Sequence, residues 1–358
     1  VSRHAIPVIR WFAELSLAQR PFVGGKAASL GELTRANIPV PPGFAVTTDA
    51  FERFLAASRT RLDVRAEISA LGAADEARVA TTGRTIRDAI VGFPVPADVE
   101  DAILGAYRAL QESGAGSCVA VRSSATCEDS DEASFAGLQD TYLWTDGEAA
   151  VVDRVRACWA SLYNAESISY RQRLGLDEGS LSIAVVVQSM IDAACAGVMF
   201  TRSPTTGDRS VIAIEACWGL GSCLVSGEVT PDRFVVNKVT GEITVRNIST
   251  KTAQHVRRSD GQGVLDTDVD AELQDVPCVT DEQLAALWQM ARRVEAHYGC
   301  PQDIEWAIPR QPADPARPVL LLQSRPETIW ANRKKEPAAR PMPKPFDHVL
   351  DAMSGRKR

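Results

Sequence analysis

No apolar run in the 358 residues is long enough to cross a bilayer, and the N-terminus lacks the apolar core of a signal peptide. Both absences lead to the expectation of a cytoplasmic protein with no membrane partner. The eight cysteines include no C-x-x-C pair, and the only histidines are His4, His255, His297 and His348, none spaced against a cysteine as a ligand set. A zinc site is therefore not expected. Cysteines inside apolar runs, such as Cys195 and Cys217, read as buried thiols of a reducing compartment. The Walker spacing is missing too, which excludes a P-loop. Neither sign of charge dominates: 39 basic against 46 acidic side chains leave a net charge of −7. That balance argues against a nucleic-acid partner but leaves room for a local basic pocket.

What is present begins with an ordinary globular balance, 45% hydrophobic and 24% charged, in a chain long enough for two or three subdomains. The stretch 119–142 stands out. Val119, Ala120 and Val121 end a buried strand and deliver Arg122 into a segment with Ser123, Ser124 and Thr126, four acids, a Phe135-Ala136-Gly137 turn, then Asp140 and Thr141. Arginine supplies a planar fork of donors, hydroxyls add more, and glycine lets backbone approach a phosphate. The alternative is an arginine paired with Glu128 or Asp129 on a solvated loop.

Other segments carry hints of the same kind. Gly24-Gly25-Lys26 leads into a helix with Leu30 and Leu33 on one face, ended by Asn37 and Pro39. A lysine at a helix start suits a phosphate, although such lysines are more often merely exposed. Phe44–Val46 reads as a strand, and Thr48 or Asp49 as the cap of the next helix. Residues 60–115 read as helical scaffold broken at Pro94 and Pro96. Residues 148–174 read as one long amphipathic helix with Val151, Val155, Trp159 and Leu162 as its stripe.

Leu181–Met190 reads as a buried strand interrupted by Gln188, whose amide needs a partner, either backbone or the edge of a bound base. Two strands, 197–201 and 211–215, follow, the second ending at Glu215 ahead of Gly219-Leu220-Gly221. Residues 234–245 read as a hairpin around Thr240-Gly241, and 246–278 as polar and irregular. Thr280 to Gln283 form a capping box for a helix ended by Gly299, with His297 in a structural role in its last turn. Two last strands, 303–308 and 319–322, would put Glu305 and Gln323 on one face if they pair as a hairpin. Two such oxygens suit Mg²⁺, with Arg325 beside them; the alternative is a charged outer sheet face.

Taken together, GGKAASLGEL with IPVPPGFAVTT, VRSSATCEDS with SFAGLQDTYL, VVVQSM with AGVMFTRSP, IEACWGLG with VSGEVTPD, HYGCPQDIEW and LLQSRP resemble a known family. It is the N-terminal ATP-binding domain of the phosphoenolpyruvate synthase and pyruvate phosphate dikinase family, which includes rifampicin phosphotransferases and aryl phosphotransferases of the phenylphosphate synthase type. The segments occur in family order. The resemblance implies an α/β (α+β) fold, a two-lobed ATP-grasp, with ATP and Mg²⁺ between the lobes. The expected divisions are a lobe with the phosphate-binding loops over 1–195, a lobe with the metal and nucleotide site over 196–330, and a basic, proline-rich tail over 331–358. By the same resemblance Lys26, Arg122, Gly137 and Thr141 would cradle phosphates, and Gln188 and Glu215 would contact the nucleotide. Glu305 and Gln323 would bind Mg²⁺, and Arg325 would meet the transferring phosphate; Lys26, Arg122 and Arg325 would be catalytic.

Departures are Leu138 where much of the family has glutamine, Cys127 for a common alanine, and Ser130-Asp131-Glu132 for a Leu-Pro pattern. They put loop contacts in doubt and leave phosphate binding intact. No histidine stands in the family's glycine-rich Ser-His setting. The expected function is thus the ATP-binding subunit of a split phosphotransferase. It would pass the β-phosphate of ATP to a histidine of a partner subunit, with release of AMP and phosphate, for a small acceptor such as a phenol or methylphenol. The residues after Pro326 read as a natural tail. A pyruvate-utilising synthase, a rifampicin phosphotransferase domain and a non-catalytic ATP-binding regulatory module are the alternatives.

Overall fold

Two large antiparallel sheets position the side chains singled out above. The computed structural model describes residues 6–71, 76–114, 116–126, 140–175, 181–258, 261–312, 314, 318–328 and 330. The first sheet has the order β1-β2-β5-β3-β4, from β1 (Ile9–Trp11), β2 (Gly43–Val46), β3 (Val119–Ala125), β4 (Thr141–Thr145) and β5 (Ile183–Ser189). β5 is buried at every residue because both faces of the sheet are covered. On one face Val119, Val121, Val185 and Val187 pack with Phe51, Phe54 and Trp159. Those aromatics come from α2 (Thr48–Ser58) and α6 (Glu148–Ser161). On the other face Ala45 and Val186 meet Val23, Ala27 and Leu30 of α1 (Arg20–Arg35).

The remaining helices here are α3 (Val64–Ser69), α4 (Glu76–Gly92), α5 (Ala97–Glu112) and α7 (Ala165–Leu174). The scaffold expected over 60–115 is thus three helices, broken between α4 and α5 where Pro94 and Pro96 stand. The single helix expected over 148–174 is two: α6 stops at Ser161, and α7 restarts at Ala165 after Asn164 in an extended conformation. The residue ahead of α2 is Thr47 rather than Thr48 or Asp49; its hydroxyl donates to the Pro7 carbonyl and makes no side-chain cap.

The chain passes from the first sheet to the second across residues 190–192. The second sheet has the order β13-β12-β6-β7-β8-β9. Its strands are β6 (Ala193–Phe200), β7 (Val211–Trp218), β8 (Asp232–Asn237), β9 (Ile243–Asn247), β12 (Gln302–Pro309) and β13 (Leu320–Pro326). α9 (Asp281–Tyr298) buries Leu284, Leu287 and Val294 against Ile214, Phe234 and Ile304 on one face of this sheet. The capping box holds as expected, with Thr280 and Gln283 bonding each other's backbone N–H, and Gly299 takes a left-handed φ of 69° at the other end. α8 (Ser222–Val225) is a single turn.

Two expectations fail here. Glu215 lies inside β7, which continues to Trp218, and the segment read as irregular contains a hairpin, β10 (Ala253–Arg257) with β11 (Val264–Asp268). The polar tract near this hairpin hides a buried ion pair. Lys251 and Asp232 are both fully buried, 2.6 Å apart. Asp232 also accepts from the Ser249 and Cys278 backbone N–H groups, so its carboxylate is hydrogen-bonded throughout. The seven described cysteines are free, and six are buried. Residues 1–327 form one compact unit, which holds everything described below, and 328–358 form a second. No described helix is long and apolar enough to cross a membrane.

Candidate functional site

Alternation along β3 builds the first half of the site. Val119 and Val121 point into the helical core, so Ala120, Arg122 and Ser124 share the opposite face, spaced roughly 7 Å apart. Each position marks a different chemistry. Ala120 is level with Gln188 on β5, and both line a cavity of about 330 Å³. That cavity is mostly apolar, with Leu143, Met190, Ile191, Val198, Leu220 and Leu322 in its wall. Arg122 comes next, directly opposite the exposed Thr141 of β4, and both line the same cavity.

Ser124 follows at the start of the glycine-lysine helix. Its hydroxyl donates to the Val23 carbonyl at 2.8 Å and accepts from the Ala27 N–H at 3.3 Å, capping α1 where it kinks. The kink is at Gly24, with φ 74°, and a Cβ there would lie 2.1 Å from the Ser124 carbonyl oxygen. Only glycine permits that approach. Half-buried Lys26 opens the helical run beyond it. An apolar slot, an arginine and a lysine at a helix start therefore lie in line.

Cross-strand pairing builds the second half. Glu305 of β12 and Gln323 of β13 are directly opposite, as the hairpin expectation requires. The register continues through Val198 of β6 and Glu215 of β7 to Arg233 of β8, one transverse row on one sheet face. Two residues along the hairpin, Arg325 is level with Asp303 and forms an ion pair with it at 3.5 Å. A bulge between Glu305 and Trp306 leaves Leu322 as the extra residue on β13.

Arg122 joins the halves. Its Nη2 donates to Glu305 Oε2 and to Gln323 Oε1, each at 2.9 Å, and its Nη1 donates to the carbonyl of the bulged Leu322 at 3.2 Å. The Arg122 side chain is 12% exposed, and its buried Nε–H has no partner among the described residues. Burial works to raise the Glu305 pKa. The Arg122 charge and hydrogen bond, with Lys26 and Arg325, outweigh it and hold the carboxyl below the ordinary range. Three cations thus converge on one carboxylate, and a guanidinium sits between the two oxygens expected to bind Mg²⁺. One carboxylate and one amide oxygen side by side are hard oxygen donors of the kind Mg²⁺ takes, both at present accepting from Arg122; no group of three or more His, Cys, Asp and Glu suited to a metal occurs among the described residues.

Of the residues singled out in the sequence, Arg122, Thr141, Gln188 and Glu305 line the cavity and Gln323 is joined to them by Arg122, while Lys26 and Arg325 do not line it and act on Glu305 through their charge. Gln188 has a backbone partner, its amide donating to the Pro41 carbonyl at 3.2 Å, while it lines the cavity. Glu215 does not line the cavity; it stands two strands out from Glu305 in the transverse row. Gly137 lies outside the described residues, as do Glu128 and Asp129. The sequence reading missed Asp303, whose place opposite Arg325 follows from the hairpin register, and Ser222, which lines the cavity from α8. It also missed the apolar wall, where Met190 and Ile191 at the crossover between sheets were the available signal.

The model of the family described as pyruvate phosphate dikinase, AMP/ATP-binding domain, matches residues 20–344. A probable phosphoenolpyruvate synthase of Methanothermobacter thermautotrophicus is 42% identical over 92% of this chain and 47% of its own length. A phosphoenolpyruvate synthase of Aeropyrum pernix is 40% identical over 93% of this chain and 44% of its own length. A rifampicin phosphotransferase of Streptomyces sviceus is 42% identical over 82% of this chain and 33% of its own length. The chain spans less than half the length of each of these relatives. With the family's model covering most of the chain, and an apolar slot leading to a cluster of cations as its ligand would require, the chain belongs to the pyruvate phosphate dikinase AMP/ATP-binding domain family.

Proposed function

We propose that the chain binds ATP in the cleft between its two sheets and serves transfer of the β-phosphate to a histidine outside residues 1–358, with AMP and phosphate as products. The observation that carries this is the line along β3, where the apolar cavity at Ala120, the guanidinium of Arg122 and the helix start held by Ser124 follow one another. A nucleoside triphosphate has the same order of chemistry, from flat base to polyanion. Gln188 would meet the base edge. Lys26, Arg122, Arg325 and Thr141, with Gly137, would take the phosphates.

Glu305 and Gln323 would hold Mg²⁺, whose chemistry when bound is to neutralise and fix phosphate oxygens. The chain's own part is positioning and charge neutralisation, which supply most of the catalysis in phosphoryl transfer. Arg122 has two possible sets of acceptors: the Glu305–Gln323 pair it now holds, and phosphate oxygens.

The acceptor is a finer matter. The names of the relatives favour a pyruvate-utilising synthase, and one of them favours rifampicin; neither supports the phenolic acceptor expected from the sequence. The decisive test of the reading is ATP binding in the presence of Mg²⁺, followed by AMP release once an acceptor histidine is supplied. ATP binding without AMP release under those conditions would favour the regulatory module. Absence of ATP binding would defeat the proposal.

A further inference from the structure

Ser222 stands where two cavities meet: the one of about 330 Å³ described above, and a second of about 360 Å³ lined by residues of β4 and the β10–β11 hairpin. Behind it stands His255 of β10. Ser222 Oγ is 2.8 Å from His255 Nδ1, and the Nε2 of the same ring is 2.8 Å from Glu228 Oε2. The backbone is shaped for this contact. Gly219 has φ 67°, and a Cβ there would lie 2.4 Å from the His255 carbonyl oxygen. Leu220 N–H donates to that carbonyl at 3.0 Å.

With the His255 ring neutral, the hydrogen-bond inventory sets what Ser222 offers the cavity. An ionised carboxylate only accepts, so the Nε2 facing Glu228 carries a proton. In the neutral ring Nδ1 is then bare, and Ser222 must donate its single hydrogen to it. The serine oxygen is left with lone pairs toward the cavity, an acceptor suited to a ligand hydroxyl. The cavity's other polar side chains include Gln188, which faces a base edge in the reading above, and Arg122, Thr141 and Glu305, which face phosphate and metal. In a nucleotide the sugar hydroxyls lie between those two ends.

We propose that Ser222 accepts a hydrogen bond from a sugar hydroxyl of the bound nucleotide, and that His255 and Glu228 are positioning residues that keep its oxygen in the accepting state. This rests on the nucleotide reading of the cleft. The test measures dissociation constants of ATP, 2′-deoxyATP and 3′-deoxyATP for the full chain and for Ser222→Ala and His255→Phe, with unfolding midpoints to establish that the variants are folded. The native chain should prefer ATP over at least one deoxy analogue by about 3- to 10-fold, the range of one neutral hydrogen bond. Ser222→Ala should remove that preference while leaving the affinity for that analogue unchanged, and His255→Phe should reduce it in the same way. A purely structural role would weaken all three ligands alike. Equal affinity of the native chain for all three nucleotides, or a uniform loss in Ser222→Ala, overturns the proposal. A native chain that binds none of them defeats the nucleotide reading itself, and Ser222→Ala alone decides should His255→Phe not fold.

Discussion

Arg122 gives donors to three groups on the opposite sheet, Glu305, Gln323 and the Leu322 carbonyl. Its removal therefore acts on both the cleft and the charge that phosphate would meet. Arg122→Ala should slow AMP formation, measured with an acceptor histidine present, by roughly 100- to 1,000-fold, about 2.7–4 kcal/mol of barrier for one lost electrostatic contact. Arg122→Lys should not restore the rate, because an ammonium cannot span two oxygens as a planar fork does. Near-normal AMP formation by Arg122→Ala would take Arg122 out of the chemistry, and a near-normal rate of Arg122→Lys would show that its charge suffices without the planar fork.

Glu305 gives a complementary test. Its folded pKa is held below the ordinary glutamate value by Arg122, Lys26 and Arg325 despite burial. The ionised group therefore adds stability that is present above about pH 4.3 and is lost as pH falls through the depressed folded value. Urea midpoints of native chain and Glu305→Gln should differ at pH 7 and converge well below pH 4. Midpoints that stay equally far apart at both would show that the charge is not the source. The same variant should need more Mg²⁺ for half-maximal ATP binding, since one charged oxygen is lost.

At the scale of elements, the β12–β13 hairpin was legible because alternation and a proline-rich connection announce it, and pairing Glu305 with Gln323 needs only that alternation. The row from Gln323 to Arg233 was not legible, since it depends on the order of five strands far apart in sequence. The bulge that exposes the Leu322 carbonyl is likewise a product of register. The Gly24-Gly25-Lys26 turn was readable as a helix start, but its reason, contact with Ser124, spans about a hundred residues of chain. The break between α6 and α7 has no proline or glycine to mark it. The hairpin within 246–278 was missed because its strands are polar and nowhere buried enough to carry an apolar alternation. In the same segment Lys251 looks like a surface cation, yet it is fully buried on Asp232. Lys251→Ala would strand that carboxylate and should destabilise the chain by about 3–5 kcal/mol in urea unfolding. A change under about 1 kcal/mol would mean that Asp232 is protonated or solvated once its partner is gone.

For the whole molecule, the histidines bear on where a phosphoryl group would go under the proposed function. His297 lies in the last turn of α9 with Nε2 2.9 Å from Glu32 Oε1, and His255 is engaged by Ser222 and Glu228. Neither has the glycine-rich Ser-His setting of a phosphoryl acceptor, and nor do His4 and His348, which lie outside the described residues. A cleft that aligns phosphates without an acceptor should bind ATP and turn it over slowly, because alignment lowers a barrier only for the nucleophile it is aligned with. The 358-residue chain should accordingly bind ATP while forming little AMP. Adding a polypeptide that carries the acceptor histidine should raise AMP formation strongly and place label from β-³²P-ATP on that polypeptide, stable to base and labile to acid as a phosphohistidine is. Each polypeptide alone, then both together, are incubated with the labelled nucleotide. Stable label on this chain alone, or full AMP formation without the second polypeptide, would show that the chemistry is completed within these residues, and the proposed acceptor would then have to be replaced by a group of the cleft itself.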